Sequence, residues 1–204
     1  MEVRLVIDGL AKSYPGRPVF SNISAAVETG RRLIIIGPNG SGKTTLIRIL
    51  CAFIRPSNGK VTLEIGDEKL SYLEMRPHIG LISPDLVLYD ELTAMENLSF
   101  FAKVSGSHFD KAELSRSLAE VGLKGRADDL VGSYSSGMKQ RLKYCLALLR
   151  NPELLLLDEP TANLDEGGKE IVDNIIRNHR GIAVIATNEK AELVYGDQIL
   201  RLGC

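Results

Sequence analysis

The chain has 204 residues, 44% of them hydrophobic and 25% charged, so one sizeable core with room for an inserted lobe is expected and disorder is excluded. A formal net charge of −1 leaves no broad basic field of the kind that draws in nucleic acid.

In chain order, Met1-Glu2-Val3-Arg4 alternates apolar and charged residues and lacks the apolar block of a signal peptide. The segment through Val27, with strands at Val3 to Ile7 and Ile23 to Val27, reads as a small antiparallel sheet flanking the core. Arg32 to Ile36 is apolar without alternation after its first residue, as expected of a central strand covered on both faces. It runs into a Gly-rich turn and a helical run from Thr45 to Leu50. Further strands are expected at Val61 to Ile65, Ile79 to Ile82, Leu154 to Leu157, Ile182 to Ala186 and Gln198 to Leu202. Their alternation with helical patterns gives an α/β fold with a mostly parallel sheet, a single domain over residues 1–204. Thr93 to Val104, Asp110 to Val121 and a run after Ser135 are helical and separated by Gly106, Gly122, Gly125 and Gly132, which predicts an inserted helical lobe over about residues 86–150. No apolar run approaches the ~18 residues of a membrane span, so a membrane role has to come through a partner.

Cys51, Cys145 and Cys204 are odd in number, far apart and without metal-ligand spacing, which suggests neither a disulfide framework nor a zinc site and fits a reducing cytosol. Cys51 and Cys145 sit in apolar stretches and read as small core residues. His78, His108 and His179 form no cluster and read as surface or turn residues.

Chemistry concentrates at three places. Gly37-Pro38-Asn39-Gly40-Ser41-Gly42-Lys43-Thr44 matches the P-loop pattern GxxxxGK[ST], between an apolar strand and a helix. Its glycines let backbone N–H groups turn inward onto phosphate oxygens, and the helix opening near Thr45 adds favourable dipole charge. Lys43 is suited to the β- and γ-phosphates of a nucleotide and Thr44 to magnesium. Asp158 and Glu159 follow the apolar Leu154–Leu157 run, at a strand end where open α/β sheets bind ligands. Asp158 suits magnesium through water, and Glu159 suits polarising an attacking water. Third, Tyr134-Ser135-Ser136-Gly137-Met138-Lys139-Gln140-Arg141 opens a helix, where Ser135 and the Gly137 amide form an anion site. A Ser N-cap also explains such a string.

With the P-loop and LLLLDEP in this order, SSGMKQR resembles the signature of ATP-binding cassette (ABC) proteins, whose usual form is LSGGQ. The resemblance runs from Tyr14 through Asn188 and implies Mg-ATP binding and hydrolysis by the motor subunit of a membrane transporter. It implies that Tyr14 stacks on adenine and that Ala162-Asn163-Leu164-Asp165 crosses a dimer interface, where Asp165 can also cap the next helix. It implies that Ser135 and Gly137 face the γ-phosphate held by the P-loop of a second copy or a related cassette. The implied partners are transmembrane permease subunits, and the implied location is the cytoplasmic face of a membrane, peripherally bound. Two residues depart from the family: Pro84 stands where a glutamine is usual, and Asn188 where a histidine contacts the γ-phosphate. Both bear on hydrolysis and coupling more than on binding. Asp85, or Ser83, is expected to reach magnesium in place of the glutamine.

The short tail after Asn188 favours an exporter-like subunit. ELTAMENL and SSGMKQR are similar to the haem-exporter ATPase of cytochrome c maturation, with a drug or polysaccharide exporter cassette as the alternative. A soluble cassette acting on DNA or ribosomes lacks its usual basic arms here. A nucleotide-dependent switch with little catalysis is motivated by Pro84 and Asn188.

Overall fold

A computed structural model describes residues 1–203 and sorts the strands into two sheets; Cys204 lies outside the described residues. The first sheet is antiparallel in the order β2-β1-β4-β5: β1 (Val3–Tyr14), β2 (Arg17–Glu28), β4 (Asn58–Ile65) and β5 (Glu68–Leu70). The second is parallel in the order β6-β7-β8-β3-β9: β3 (Arg32–Ile36), β6 (Ile79–Ile82), β7 (Leu154–Asp158), β8 (Ile182–Thr187) and β9 (Gln198–Arg201). The expected flanking sheet is present, and it is larger than Met1–Val27 could make it, because β4 and β5 complete it. The strand at Val61–Ile65 therefore pairs outside the parallel sheet. Its pattern gives the reason: Val61 and Leu63 are buried while Lys60 is exposed, the one-faced alternation of an antiparallel strand.

The central parallel strands β3, β7 and β8 bury both faces. Leu33 and Ile35, Leu154 and Leu156, and Val184 pack in one hydrophobic cluster with Leu5, Ile7 and Leu63 of the antiparallel sheet and Leu46 and Leu50 of α1 (Lys43–Leu50). Their neighbours Ile34, Leu155, Leu157 and Ile185 pack in a second cluster. That cluster joins α2 (Ala94–Val104), α3 (Lys111–Glu120), α4 (Ser136–Leu148) and α5 (Glu166–Asn178). Side chains two apart share a face of a strand, so an unbroken apolar run feeds both layers at once. α2, α3 and α4 all lie between β6 and β7, where the helical insertion was expected. Cys51 and Cys145 are buried, and burial pushes both thiols up to about 12, which keeps them protonated and unreactive.

Two histidines depart from the surface reading. His78 Nδ1 lies 3.1 Å from the Glu153 carboxylate, and His179, closing α5, is half-buried. Burial holds its imidazole below the ordinary 6.5 by disfavouring the charged ring.

Candidate functional site: a phosphate cradle beside an acidic strand end

β3 delivers the chain into the P-loop and α1 starts at Lys43, two residues before the expected helical run. Gly42 caps α1 at φ 99°, and a Cβ there would stand 2.6 Å from Val19 Cγ1, so neither backbone nor space admits another residue. A Cβ at Gly37 would stand 2.5 Å from the Leu202 carbonyl. The loop can therefore curl tightly against the end of β9. Lys43 is 6% exposed, and its Nζ donates to the carbonyls of Gly37 at 2.8 Å and Pro38 at 3.3 Å. An ammonium is thus anchored under the loop. Ser41 Oγ is buried and has no hydrogen-bond partner among the described residues.

A cavity of about 360 Å³ opens over this loop. Tyr14, Asn39, Gly40, Gly42, Lys43, Thr44, Thr45 and Glu159 line it, together with Arg17 and Val19, which the sequence did not mark. Arg17 and Val19 lie on β2, close in space to Tyr14 only because β1 and β2 form a hairpin. Lys12 Nζ lies 4.8 Å from the centroid of the Tyr14 ring, a cation–π contact at a side chain that stays 47% exposed.

β7 carries Asp158 beside Thr44 and Lys43, beneath the cavity and not in its lining. Asp158 is 2% exposed, and its Oδ2 has no partner among the described residues. Burial raises its carboxyl above the ordinary 3.8, the Thr44 hydroxyl and Lys43 oppose that rise, and the neighbouring acids Glu159 and Asp85 add to it. A buried carboxylate oxygen facing a hydroxyl and an ammonium is a hard-oxygen donor set that fits a divalent cation. The orphaned Ser41 and Asp158 oxygens therefore fit a phosphate and its metal.

Glu159 sits at φ 53°, a left-handed conformation that costs a non-glycine residue of order 1–3 kcal/mol unless its surroundings hold it. It also lines a second cavity of about 600 Å³ with Asn39, Thr161, Asn163, Asn188 and Glu192. Asn188 Nδ2 donates to Asn39 Oδ1 at 2.6 Å, so the residue in the histidine position touches the P-loop directly. Asp165 caps α5 through the Gly168 N–H at 2.8 Å.

Ser135 caps α4 by accepting the Met138 N–H at 3.2 Å. Neither Ser135 nor Gly137 lines the P-loop cavity of its own chain. A Cβ at Gly137 would stand 3.6 Å from the Asn163 carbonyl, so the signature abuts the loop after Glu159.

The segment after β6 gives Asp85 a protein partner. Asp85 forms an ion pair with Arg48 of α1, its side chain is 63% exposed, and it does not line the P-loop cavity. Arg48 lies in the last turn of α1, the helix that Lys43 begins, so the fold brings a cation beside Asp85. Ser83 is buried, and Lys143 of α4 donates to the carbonyls of Ser83 at 3.4 Å and Pro84 at 3.3 Å.

Three residues of ELTAMENL have structural roles at the start of α2. Thr93 and Glu96 make a capping box at the start of α2. The fully buried Asn97 accepts the Tyr89 N–H at 2.9 Å and donates to the Tyr89 and Thr93 carbonyls, each at 3.0 Å. Those residues staple a turn and say nothing about cargo.

A family model described as "ABC transporter" matches residues 20–162. The chain is 32% identical to the linearmycin resistance ATP-binding protein LnrL of Bacillus subtilis, over 93% of this chain and 62% of that protein. It is 36% identical to the phosphonates import ATP-binding protein PhnC 2 of a Synechococcus strain, over 89% of this chain and 74% of that protein. The structure of an ABC transporter ATP-binding protein from Pyrococcus furiosus superposes with a TM-score of 0.83 at 26% identity, covering 98% of this chain and 97% of that one. The chain spans less than two thirds of the length of several curated relatives, LnrL among them.

Proposed function

Because the chain belongs to the ABC transporter family, we propose that it binds and hydrolyses Mg-ATP as the motor subunit of a transporter. The observation that carries this is the pairing of two orphaned buried oxygens, Ser41 Oγ in the P-loop and Asp158 Oδ2 at the end of β7. Lys43 and the P-loop N–H groups take the β- and γ-phosphates, and Tyr14 offers its ring to the base. Thr44 and Asp158 hold magnesium, which neutralises charge on the phosphates. Glu159 accepts a hydrogen bond from the attacking water and orients it in line with the phosphorus. Asn188 supplies a neutral amide donor near the γ-phosphate, tethered to Asn39. Asp85 joins the metal only by leaving Arg48.

The signature residues Ser135 and Gly137 act on nucleotide held by a second cassette, in keeping with their absence from the lining of their own P-loop cavity. Two cassettes then close on two nucleotides and reopen after hydrolysis. Permease subunits in a membrane take up that motion, with the cassette peripheral on the cytoplasmic face. Val87, Tyr89 and Phe100, all exposed, with the Tyr89 and Phe100 rings 5.1 Å apart, suit an apolar partner there.

The cargo reading favours an exporter of the drug-resistance kind, because of the likeness to a linearmycin resistance protein. The likeness to a phosphonate import protein at similar identity leaves direction to the membrane partner. Haem export is the weaker reading, since ELTAMENL is accounted for by the cap and staple at α2. Equilibrium binding of Mg-ATP to the wild type and to Lys43→Ala tests the site: the variant loses at least about tenfold in affinity as a buried charge-assisted contact is removed, and all measurable turnover. Equal affinity in the two proteins would sink the assignment.

A further inference from the structure

Glu159 is followed by Pro160, and proline disfavours helical backbone in the residue before it. Glu159 nonetheless adopts φ 53°. Its own covalent neighbourhood does not hold it there, so tertiary contacts must. The Glu159 N–H donates to the Ala186 carbonyl of β8 at 2.9 Å and its carbonyl accepts the Ala162 N–H at 3.2 Å, and side-chain contacts add to these on the next two residues. The Pro160 carbonyl accepts from the Tyr144 hydroxyl at 3.0 Å and from Gln140 Nε2 at 3.5 Å. Both donors are on the signature helix α4, one turn apart. From the other side, Glu192 Oε1 accepts the Thr161 N–H at 3.3 Å and also the Thr161 hydroxyl. Glu192 belongs to the short 3-10 turn Lys190–Tyr195 that follows Asn188.

These contacts are not surface decoration. Tyr144 is fully buried and Glu192 is 2% exposed. Glu192 also keeps its second oxygen, Oε2, buried without a partner among the described residues, in the lining of the cavity that holds Glu159 and Asn188. A side chain retained for packing alone would fill that place without such a penalty; a leucine or methionine has no oxygen to desolvate.

We propose that Tyr144 and Glu192 are positioning residues that clamp Pro160–Thr161 and so hold Glu159 in its left-handed conformation. Through Tyr144 and Gln140 the clamp ties the water-orienting glutamate to the signature helix of the same chain. A second cassette's nucleotide engaging Ser135 and Gly137 at one end of α4 is thereby felt at Glu159 of the first. The inference rests on the reading of Glu159 as the residue that orients water.

The test uses the full chain with Mg-ATP, at protein concentrations where turnover per cassette is constant. Tyr144→Phe keeps the ring and loses only the hydroxyl, and is expected to lower kcat about tenfold while leaving KM within about twofold, since one buried hydrogen bond is lost in positioning and none in binding. Glu192→Ala is expected to do the same. Glu192→Gln, whose amide oxygen still accepts from Thr161, recovers most of the loss, and this pair carries the test if Tyr144→Phe does not fold. Introduced into Glu159→Gln, Tyr144→Phe causes no further fall in residual single-turnover hydrolysis. Unchanged kcat in Tyr144→Phe and Glu192→Ala, with Glu159→Gln inactive, overturns the clamp and leaves the role of Glu159 standing. An equal fall in wild-type and Glu159→Gln backgrounds marks a general structural effect and also overturns it. Full turnover by Glu159→Gln removes the premise and the clamp together.

Discussion

Asp85 shows how the partner of a single residue can escape a reading of the sequence. On the sequence it follows Pro84, which has neither an amide side chain nor an N–H to offer a metal. In the structure its carboxylate is taken by Arg48, a residue 37 positions away that no local pattern could pair with it. An exposed ion pair of this kind stabilises by ~0–1 kcal/mol, so it is cheaply exchanged for a metal contact. Asp85→Ala is therefore expected to lower magnesium-dependent turnover several-fold and leave metal-free nucleotide binding nearly unchanged, as loss of one water-mediated or direct oxygen contact would. Unaltered magnesium dependence in a titration of turnover against free metal would assign Asp85 to Arg48 alone. The P-loop residues and Asp158-Glu159 were legible because their chemistry depends on contiguous spacing. Tyr144 and Glu192 were not, because each reaches the loop after Glu159 only through tertiary packing, and Arg17 was not, because only the tight turn at Pro15-Gly16 sets it opposite Tyr14.

At the scale of elements, the central strands were the most readable part of the chain. Residues of β3, β7 and β8 are apolar on both faces, and only a doubly covered parallel strand supports that. β5, three residues long, has too few positions to show a period, and nothing in the sequence said which sheet the Val61–Ile65 strand joins. The helical insertion was foreseen from its glycine punctuation, yet the purpose of ELTAMENL was not. Asn97 spends its amide on the backbone of Tyr89 and Thr93 at full burial. Replacing it with alanine strands those groups away from water, at a cost of about 2–3 kcal/mol. Chemical denaturation of Asn97→Ala should show a midpoint lowered accordingly, with Mg-ATP affinity unchanged because α2 does not line the P-loop cavity. A variant as stable as wild type would mean that water replaces the staple and that ELTAMENL requires another explanation.

For the whole molecule, the arrangement of motifs matters more than any one of them. The P-loop, Asp158 and Glu159 converge on one edge of the parallel sheet, whereas Ser135 and Gly137 stand apart on the helical insertion, against the loop that begins at Glu159. Each chain thus offers a phosphate cradle and, separately, a helix N-terminus suited to an anion, and under the proposed function two cassettes facing each other, two copies or this chain with a related one, complete both. Turnover should consequently rise more steeply than linearly with protein concentration while the protein is mostly monomeric. The most direct measurement is the mass in solution of Glu159→Gln with and without Mg-ATP, by size exclusion with light scattering. Blocking water activation keeps ATP in place, so the account predicts a shift from the 22.3 kDa chain to twice that mass only when Mg-ATP is present. A variant that binds Mg-ATP and remains at the mass of one chain would contradict it.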